Sequence, residues 1–386
     1  MKPGSWPSIG LIYLYGVAAS ASLSKIIPLQ GDVAAALGAS AGEFSLLLAL
    51  VTVPPALLAS AVGSIIDRVG ARAALLAAAS VGALVNLAYL NAQSLQAFQV
   101  IRVLEGFVMV GAYSGAPALI MATAAPDRRR RAMAFWSTYT PVGVSLGLLL
   151  SAGFAGTPNW RGGYLIHLLL FAALVLAAFM LPRPAGVAAA VARPRASLLG
   201  AWMQPGPLRL SLTFGMLVMM GFGLNTVFPS WYSQQHHTTL GEASKLLAFG
   251  NLVMIPGGFL AGALLARGLR DARLLCVLML LAILLSLPLL ARGESSGLRL
   301  TALALWQLIS GAAIAVVTSG LPRVVANPAQ GAAAAGLLSQ IAALTTFVTP
   351  LIWRPILGSG QWPLFIVVVA LAATLAVLLF PRPARA

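Results

Sequence analysis

The sequence is short of charge and almost free of cysteine. Only 8% of its 386 residues are Asp, Glu, Lys or Arg, and only 8 are acidic. Water-soluble domains carry about 25% charged residues, so a soluble fold of this length is excluded. The single cysteine, Cys276, excludes a disulfide framework and a thiolate metal site. We therefore expect no metal site.

Sequence motifs of several enzyme classes are also missing. No Gly-x-x-x-x-Gly-Lys-[Ser/Thr] loop is present, which argues against direct use of ATP. The sequence shows no dinucleotide fingerprint and no pairing of a nucleophile with a base. A membrane enzyme acting on lipid would need clustered catalytic groups, and the few scattered acidic residues do not supply them. We expect a protein that is not an enzyme and binds no cofactor.

The sequence instead contains many long apolar runs. Hydrophobic residues make up 60% of the chain, and its apolar runs are long enough for helices that cross a hydrocarbon core of about 30 Å. The twelve predicted spans are residues 9–29, 43–66, 74–93, 97–122, 132–156, 162–181, 208–232, 243–266, 274–291, 299–321, 332–357 and 363–380. We expect an all-α integral membrane protein with twelve transmembrane helices in the lipid bilayer.

The longest polar break divides the spans into two sets of six. It is rich in Pro, Ala and Arg and contains no spanning run. The predicted parts are a six-helix bundle over 1–181, a cytoplasmic linker over 182–207 and a second six-helix bundle over 208–386. The halves match weakly at an offset of 202 residues, which aligns Val53-Pro54 with Ile255-Pro256 and Glu105 with Gln307. Such a parallel repeat is typical of two halves related by an axis along the membrane normal.

Basic residues dominate the charge and are distributed unevenly between alternate loops. The formal net charge is +16, and an even number of spans places both termini on one side. If that side is the cytoplasm, the inner loops hold most of the arginines, including Arg128 to Arg131. Because cytoplasmic loops are enriched in Lys and Arg, we expect N-in/C-in topology in a bacterial inner membrane. The same rule explains the positive charge without a nucleic acid partner.

A charged turn lies between the second and third spans, and the stretches 44–66 and 73–98 that flank it carry no charge. Its characteristic residues are Gly63, Asp67, Arg68, Gly70 and Arg72. Their spacing resembles the cytoplasmic loop between helices 2 and 3 of the major facilitator superfamily. The resemblance implies the fold of that family and a conformational latch that pairs in one state and releases in the other. The alternative is an ordinary positively charged turn at the inner surface.

The fourth span carries two charges, Arg102 and Glu105, which share one helix face with Met109 and Tyr113. Together with the glycine that follows, they resemble the arginine-glutamine-glycine motif of the same superfamily. In that family the arginine lines the central cavity and is tied to proton coupling in many members. We expect Arg102, Glu105 and Lys25 to line a cavity, with Glu105 exchanging a proton. The alternative is a static, partly hydrated Arg–Glu pair near the outer surface.

Other polar or aromatic residues inside the spans are candidates for contacting a solute. The substrate-cavity candidates are Met109, Tyr113, Tyr139, Asn225, Trp306, Gln307 and Gln340. Gln307 is the repeat partner of Glu105. An intramembrane Asn or Gln is as often an interhelical hydrogen bond of about 1 kcal/mol as a ligand contact.

The fifth span contains Pro141, which we expect to kink the helix. Drug/proton antiporters of the superfamily carry a Gly-Pro with further glycines in this helix. The present sequence keeps the proline, Gly143 and Gly147, but Thr140 replaces the first glycine. The resemblance to an antiporter motif is therefore partial.

Together these features predict a secondary active transporter of a small organic solute that works by alternating access. The resemblance implies coupling to the proton gradient, and the loop motif with the partial antiporter motif favours efflux. The net positive group of Lys25, Arg102 and Glu105 leaves proton-coupled uptake of an organic anion as the alternative. A non-transporting sensor with a transporter fold is a more remote alternative. We expect a monomer whose partners are its solute and the bilayer.

Overall fold

The chain is described by a computed structural model that covers residues 1–183, 203–290, 295–324, 331–358 and 362–381. Every regular element in these ranges is helical, and a 3₁₀ turn, Ala178–Met180, follows the ninth helix. The helices are α1 (Trp6–Ser24), α2 (Gln30–Leu37), α3 (Ala41–Leu50), α4 (Val53–Val69), α5 (Ala71–Asn91), α6 (Leu95–Thr123), α7 (Pro126–Trp136), α8 (Tyr139–Ala152), α9 (Gly162–Ala177), α10 (Pro205–His236), α11 (Leu240–Leu252), α12 (Met254–Ala266), α13 (Asp271–Leu290), α14 (Ser296–Ser319), α15 (Leu321–Val324), α16 (Gly331–Gly358) and α17 (Trp362–Leu379).

The number of predicted spans is confirmed. In the described ranges, ten helical stretches are long and apolar enough to cross a membrane, and the shorter apolar helices Tyr139–Ala152 and Pro363–Leu379 bring the number to twelve. A helix satisfies its own backbone hydrogen bonds, which is why a long apolar run becomes a helix in a bilayer. The expectation of an all-α, multi-pass membrane protein holds, whereas the N-in/C-in topology stays a prediction.

Two spans at equivalent positions in the halves are broken at the same point. The second span consists of α3 and α4, and the eighth consists of α11 and α12. Leu50 ends α3 and Leu252 ends α11, which is again an offset of 202 residues. The next helix in each span carries a proline in its first turn, Pro54 or Pro256, where the missing N–H is tolerated. The weak repeat in the sequence therefore marks a shared structural break.

The fifth span is interrupted rather than kinked. Helix α7 ends at Trp136 and α8 begins at Tyr139, so Pro141 lies in the first turn of α8. A proline in a first turn displaces no backbone hydrogen bond, and it does not bend a continuous helix as predicted. Only two uncharged residues, Ser137 and Thr138, separate the helices, and so short a polar step is not enough to predict a break from the sequence.

The loop between α4 and α5 turns at Gly70, whose φ of +89° suits a residue without a Cβ. Arg72 donates to the carbonyl oxygens of Ala178 and Phe179 at 3.2 Å. These carbonyls close the sixth span, where a helix end leaves acceptors unpaired. The side-chain surroundings of Gly63, Asp67 and Arg68 lie outside the described part of the chain. Their role as a latch stays a prediction.

The described residues form two compact units. Unit 1 comprises those within Met1–Ala192 and Thr239–Ala248, and unit 2 comprises those within Arg193–Thr238 and Phe249–Ala386. The beginning of α11 thus packs with unit 1, where Ser145 Oγ donates to the carbonyl oxygen of Ala248 at 2.8 Å. Most of the predicted linker, 182–207, lies outside the described residues.

Glycines allow close helix crossings at the breaks within each unit. In unit 1, a Cβ on Gly106 of α6 would overlap the carbonyl oxygen of Val51 and the ring of Pro54. In unit 2, a Cβ on Gly311 of α14 would overlap the backbone of Met254. Small residues of this kind let helix backbones touch inside a membrane. The fourth and tenth spans therefore pack against the second and eighth in a related way.

Candidate functional site

Helix α6 has an exposed apolar face and a buried face that carries charged side chains. Val100, Leu104 and Phe107 are 60%, 47% and 41% exposed, as is typical of side chains that face lipid. Arg102 and Glu105 lie on the other side of the helix and are fully buried. They are three residues apart, and this spacing brings their side chains together on one face.

Arg102 closes the ends of two helices. Helices α1 and α3 both end inside unit 1, and the carbonyl groups of a last turn have no partner within the helix. Arg102 donates from Nη1 to the carbonyl oxygen of Ser22 at 2.8 Å and from Nε to that of Leu47 at 2.9 Å. The same Nη1 donates to Glu105 Oε2 at 2.7 Å. Backbone and carboxylate together hold this guanidinium in place.

Glu105 is surrounded by hydrogen-bond donors. Its Oε2 accepts from Arg102 and also from the hydroxyl of Tyr89 at 3.0 Å, while Oε1 forms an ion pair with the ammonium group of Lys25. A buried carboxylate requires such partners because no water solvates it. We call Lys25, Arg102 and Glu105 the charge cluster. It holds two cations and one anion.

Lys25 lies at the C-terminal end of α1, where its N–H donates to the carbonyl oxygen of Ala21 at 3.0 Å. Its Nζ donates to Asn86 Oδ1 at 2.6 Å. The rings of Tyr89 and Tyr164 lie with their centroids 4.8 and 5.4 Å from Nζ. Ring faces and the negative end of a helix both stabilise a cation. These contacts attach the end of α1 to α5 and α9.

Sequence reasoning missed Asn86, Tyr89 and Tyr164, which complete the surroundings of the charge cluster. Asn86 donates from Nδ2 to the carbonyl oxygen of Gly82 at 2.7 Å, which directs Oδ1 toward Lys25. Tyr89 and Tyr164 stack with their ring centroids 4.5 Å apart. The available signal was the spacing of Asn86 and Tyr89, two polar groups one turn apart in an apolar span.

The charge cluster is sealed in this structure. Lys25, Arg102 and Glu105 are each 0% exposed, so none of them borders a space that a water molecule could enter. The sequence predicted that they line a cavity, and the structure brings them together but encloses them. The alternative of a partly hydrated Arg–Glu pair does not describe them either, because Lys25 joins the pair and none of the three side chains is exposed. Their part in proton coupling stays a prediction.

A partly exposed aromatic surface follows along the same face of α6. The rings of Tyr113 and Tyr139, which we call the tyrosine pair, have centroids 4.9 Å apart. The hydroxyls of Tyr113 and Ser20 are 2.9 Å apart. Met109 lies one turn before Tyr113 and is buried. This face is opposite the exposed apolar residues of α6, so the free part of the Tyr113 ring does not point toward lipid.

The candidate residues in unit 2 are all uncharged. Gln307 donates from Nε2 to Asn251 Oδ1 at 2.6 Å, and both side chains are buried. Trp306 is completely buried and Asn225 nearly so, whereas Gln340 is partly exposed.

An ion pair between Arg323 and Asp271 lies at the ends of α15 and α13. No group of three or more metal-ligating side chains occurs among the described residues.

Comparisons with known proteins identify a family from the sequence and a similar fold among solved structures. A family model described as Major Facilitator Superfamily matches residues 12–346. Two similar solved structures are of a bacterial homolog to the human lysosomal transporter Spinster, both inward-facing. The unoccupied form is 16% identical with a TM-score of 0.72, and the occupied form is 17% identical with a TM-score of 0.69. Each comparison covers 98% of this chain and 95% of the other. No curated protein matches the sequence.

Proposed function

Because the chain belongs to the major facilitator superfamily, we propose that it exports a small organic solute in exchange for protons. Family and fold make it a secondary transporter that works by alternating access, and not an enzyme. The solute, the coupling to protons and the direction of transport are the parts that we propose.

The charge cluster is the observation that carries the proposal of proton coupling. Ionised side chains inside a membrane cost several kcal/mol unless they are paired, and they are found where function needs them. In alternating access the helices around such a cluster separate and close again. Hydration of the cluster in one state and its enclosure in the other would favour different numbers of bound protons. A buried, net positive group at the end of α1 fits this role.

The tyrosine pair supports export of an apolar or cationic solute that carries a ring. The charged side chains of the cluster are engaged with one another, so an organic anion would have to break buried ion pairs to bind them. Partly exposed aromatic rings offer faces to apolar rings and to cations. Uptake of an organic anion is the second candidate, and the net positive charge of the cluster favours it.

The remaining expectations are parts of the same proposal. We place the protein in a bacterial inner membrane with both termini in the cytoplasm, as a monomer that uses the proton gradient and no cofactor. Residues Gly63, Asp67, Arg68, Gly70 and Arg72 would act as the latch. The contacts of Arg72 with the end of the sixth span support this assignment, because they join the loop to a second span.

Solute flux in proteoliposomes with an imposed pH gradient tests the proposal. Three pools would be offered separately: aromatic cations, neutral aromatic compounds and organic acids. We expect a compound from the first or second pool to move against protons, and the flux to stop when a protonophore removes the gradient. Flux of an organic acid together with protons would instead establish the second candidate. Flux that ignores the gradient would contradict proton coupling.

A further inference from the structure

We infer that Lys25 carries the proton of the charge cluster and that Glu105 stays ionised through the transport cycle. The inference rests on the proton coupling proposed above and identifies its carrier. It departs from the sequence expectation, in which Glu105 exchanges the proton. Two features lead to it: the donors arranged around Glu105 and the number of charges in the sealed site.

Both oxygens of Glu105 already face donors. Lys25 and Arg102 present N–H groups and have no acceptor, and Tyr89 donates its hydroxyl. A proton on Oε1 would point at the ammonium of Lys25, and a proton on Oε2 would compete with the guanidinium of Arg102. A neutral Glu105 would also leave two buried cations without a counter-charge. Unpaired charges in a dry site are strongly unfavourable.

Loss of a proton from Lys25 has neither disadvantage. A neutral amine keeps two N–H groups, which are enough for Asn86 Oδ1 and Glu105 Oε1. The Arg102–Glu105 pair that remains has no net charge. Arg102 cannot take the same role, because a guanidinium stays protonated in proteins and because two backbone carbonyls already hold it.

The other titratable groups on the surrounding elements add no negative charge beside Lys25. They are Tyr89 of α5, Tyr164 and His167 of α9, Arg161 at the start of α9 and Asp32 of α2. His167 uses Nδ1 for a 2.7 Å hydrogen bond with the carbonyl oxygen of Gly163. Asp32 accepts the N–H of Gly156 at 3.0 Å, and Arg161 donates to the carbonyl oxygen of Ala92 at 2.6 Å. Among the described residues, Glu105 is the carboxylate that contacts the ammonium group.

The position of Lys25 in the chain suits a group that is alternately enclosed and hydrated. It follows the last residue of α1, and a turn through Pro28 leads to α2. Movement of the end of α1 away from α5 and α6 would bring Nζ to water. The ammonium would then release a proton to water, or the amine would take one up, without disturbing the backbone contacts of Arg102.

The pH dependence of transport in three variants tests the inference. Lys25→Arg keeps the positive charge but cannot release a proton, so we expect uphill transport to fall more than tenfold and solute exchange without a gradient to persist. We expect Glu105→Gln to keep a pH-dependent flux with its midpoint at lower pH, because Lys25 then loses its counter-ion while Arg102 still repels it. The control Lys245→Arg, at an exposed position, should match the wild type.

Opposite results would overturn the inference. Wild-type pH dependence in Lys25→Arg, together with its loss in Glu105→Gln, would make Glu105 the carrier and leave the proposed function intact. A wild-type protein that ignores the pH gradient would instead contradict the proposed function itself.

A measurement that needs no variant of the cluster covers the case in which these proteins fail to fold. The chain has only Lys2, Lys25 and Lys245, so labelling lysine with ¹⁵N gives few Nζ signals, and Lys2→Arg and Lys245→Arg assign them. We expect the Lys25 signal to change from ammonium to amine over the pH range in which transport changes. An ammonium signal that persists across that range would contradict the inference.

Discussion

The fourth and tenth spans hold equivalent places in the two halves, but at the same repeat position one has a charged residue and the other a neutral one. Glu105 of α6 pairs with two cations, whereas its repeat partner, Gln307 of α14, makes an amide hydrogen bond with Asn251. Both side chains are buried and both join their helix to a neighbour. A neutral pair is therefore sufficient to hold such a site together. A charge at the position of Glu105 is not required for such a contact, and function is the better explanation for it.

The two halves are alike at the positions where their helices pack closely, which strengthens this conclusion. The second and eighth spans break at the same repeat position, before a proline. Gly106 and Gly311 bring the fourth and tenth spans against those breaks. The difference between the halves thus concerns the charges rather than the crossings.

Among variants that test this difference between the halves, the removal of Arg102 should reduce stability most. Arg102→Met leaves the carbonyl groups of Ser22 and Leu47 without a donor and removes one cation from Glu105. We expect a loss of about 3–5 kcal/mol in the free energy of unfolding, as for other buried pairs that lose one partner. Thermal unfolding in detergent measures it, with lipid-facing Val100→Met as the control. Equal melting temperatures of Arg102→Met and wild type would contradict a fixed role for the guanidinium.

Replacement of Glu105 by glutamine, the residue at its repeat position in unit 2, should have the next largest effect. Glu105→Gln leaves two cations wherever Lys25 keeps its proton, so we expect a loss of roughly 3 kcal/mol at acidic pH and a smaller loss at alkaline pH. The double variant Lys25→Met with Glu105→Gln should be more stable at acidic pH than Glu105→Gln alone. Unfolding measured across pH for the single and double variants checks this. Strictly additive effects would show that the two groups do not interact.

The glycine crossings should respond alike in both units. Gly106→Ala and Gly311→Ala place a methyl group against backbone atoms, and we expect each to cost about 1–3 kcal/mol, as overpacking does. Gly10→Ala and Gly262→Ala are matched controls, because a Cβ there meets nothing within 4 Å. Thermal unfolding compares the four variants. A loss in only one unit would mean that the crossings are not equivalent.

Loss of the hydrogen bond between Gln307 and Asn251 in unit 2 should have the smallest effect on stability. Gln307→Leu removes one interhelical hydrogen bond, which in membrane proteins is worth about 1 kcal/mol or less. We expect a small fall in melting temperature and an unchanged dependence of flux on the pH gradient. Loss of that dependence would place proton coupling in unit 2 and reverse the comparison.

The sequence predicted the spans well because each is a long apolar run, and predicted the breaks poorly because each break is only one or two uncharged residues long, as at Ser137-Thr138. It also selected Lys25, Arg102 and Glu105, since charges inside spans are conspicuous, and the structure brings these three together. It did not predict that they are sealed, because enclosure depends on how the ends of α1 and α3 close over Arg102. Asn86 and Tyr89 were missed because their role depends on contacts with the ammonium of Lys25 and the carboxylate of Glu105, and only the folded structure shows these contacts.

Proton release on solute binding is the most direct test of the central claim, that protons are exchanged in unit 1 alone. The purified transporter would be mixed, in weakly buffered detergent solution with a pH indicator, with the solute found in the flux screen. Wild type and Gln307→Leu should both release about one proton per bound solute near the transport midpoint, since one ammonium group titrates, and Lys25→Met should release none. Undiminished release from Lys25→Met, or its loss in Gln307→Leu, would contradict the account.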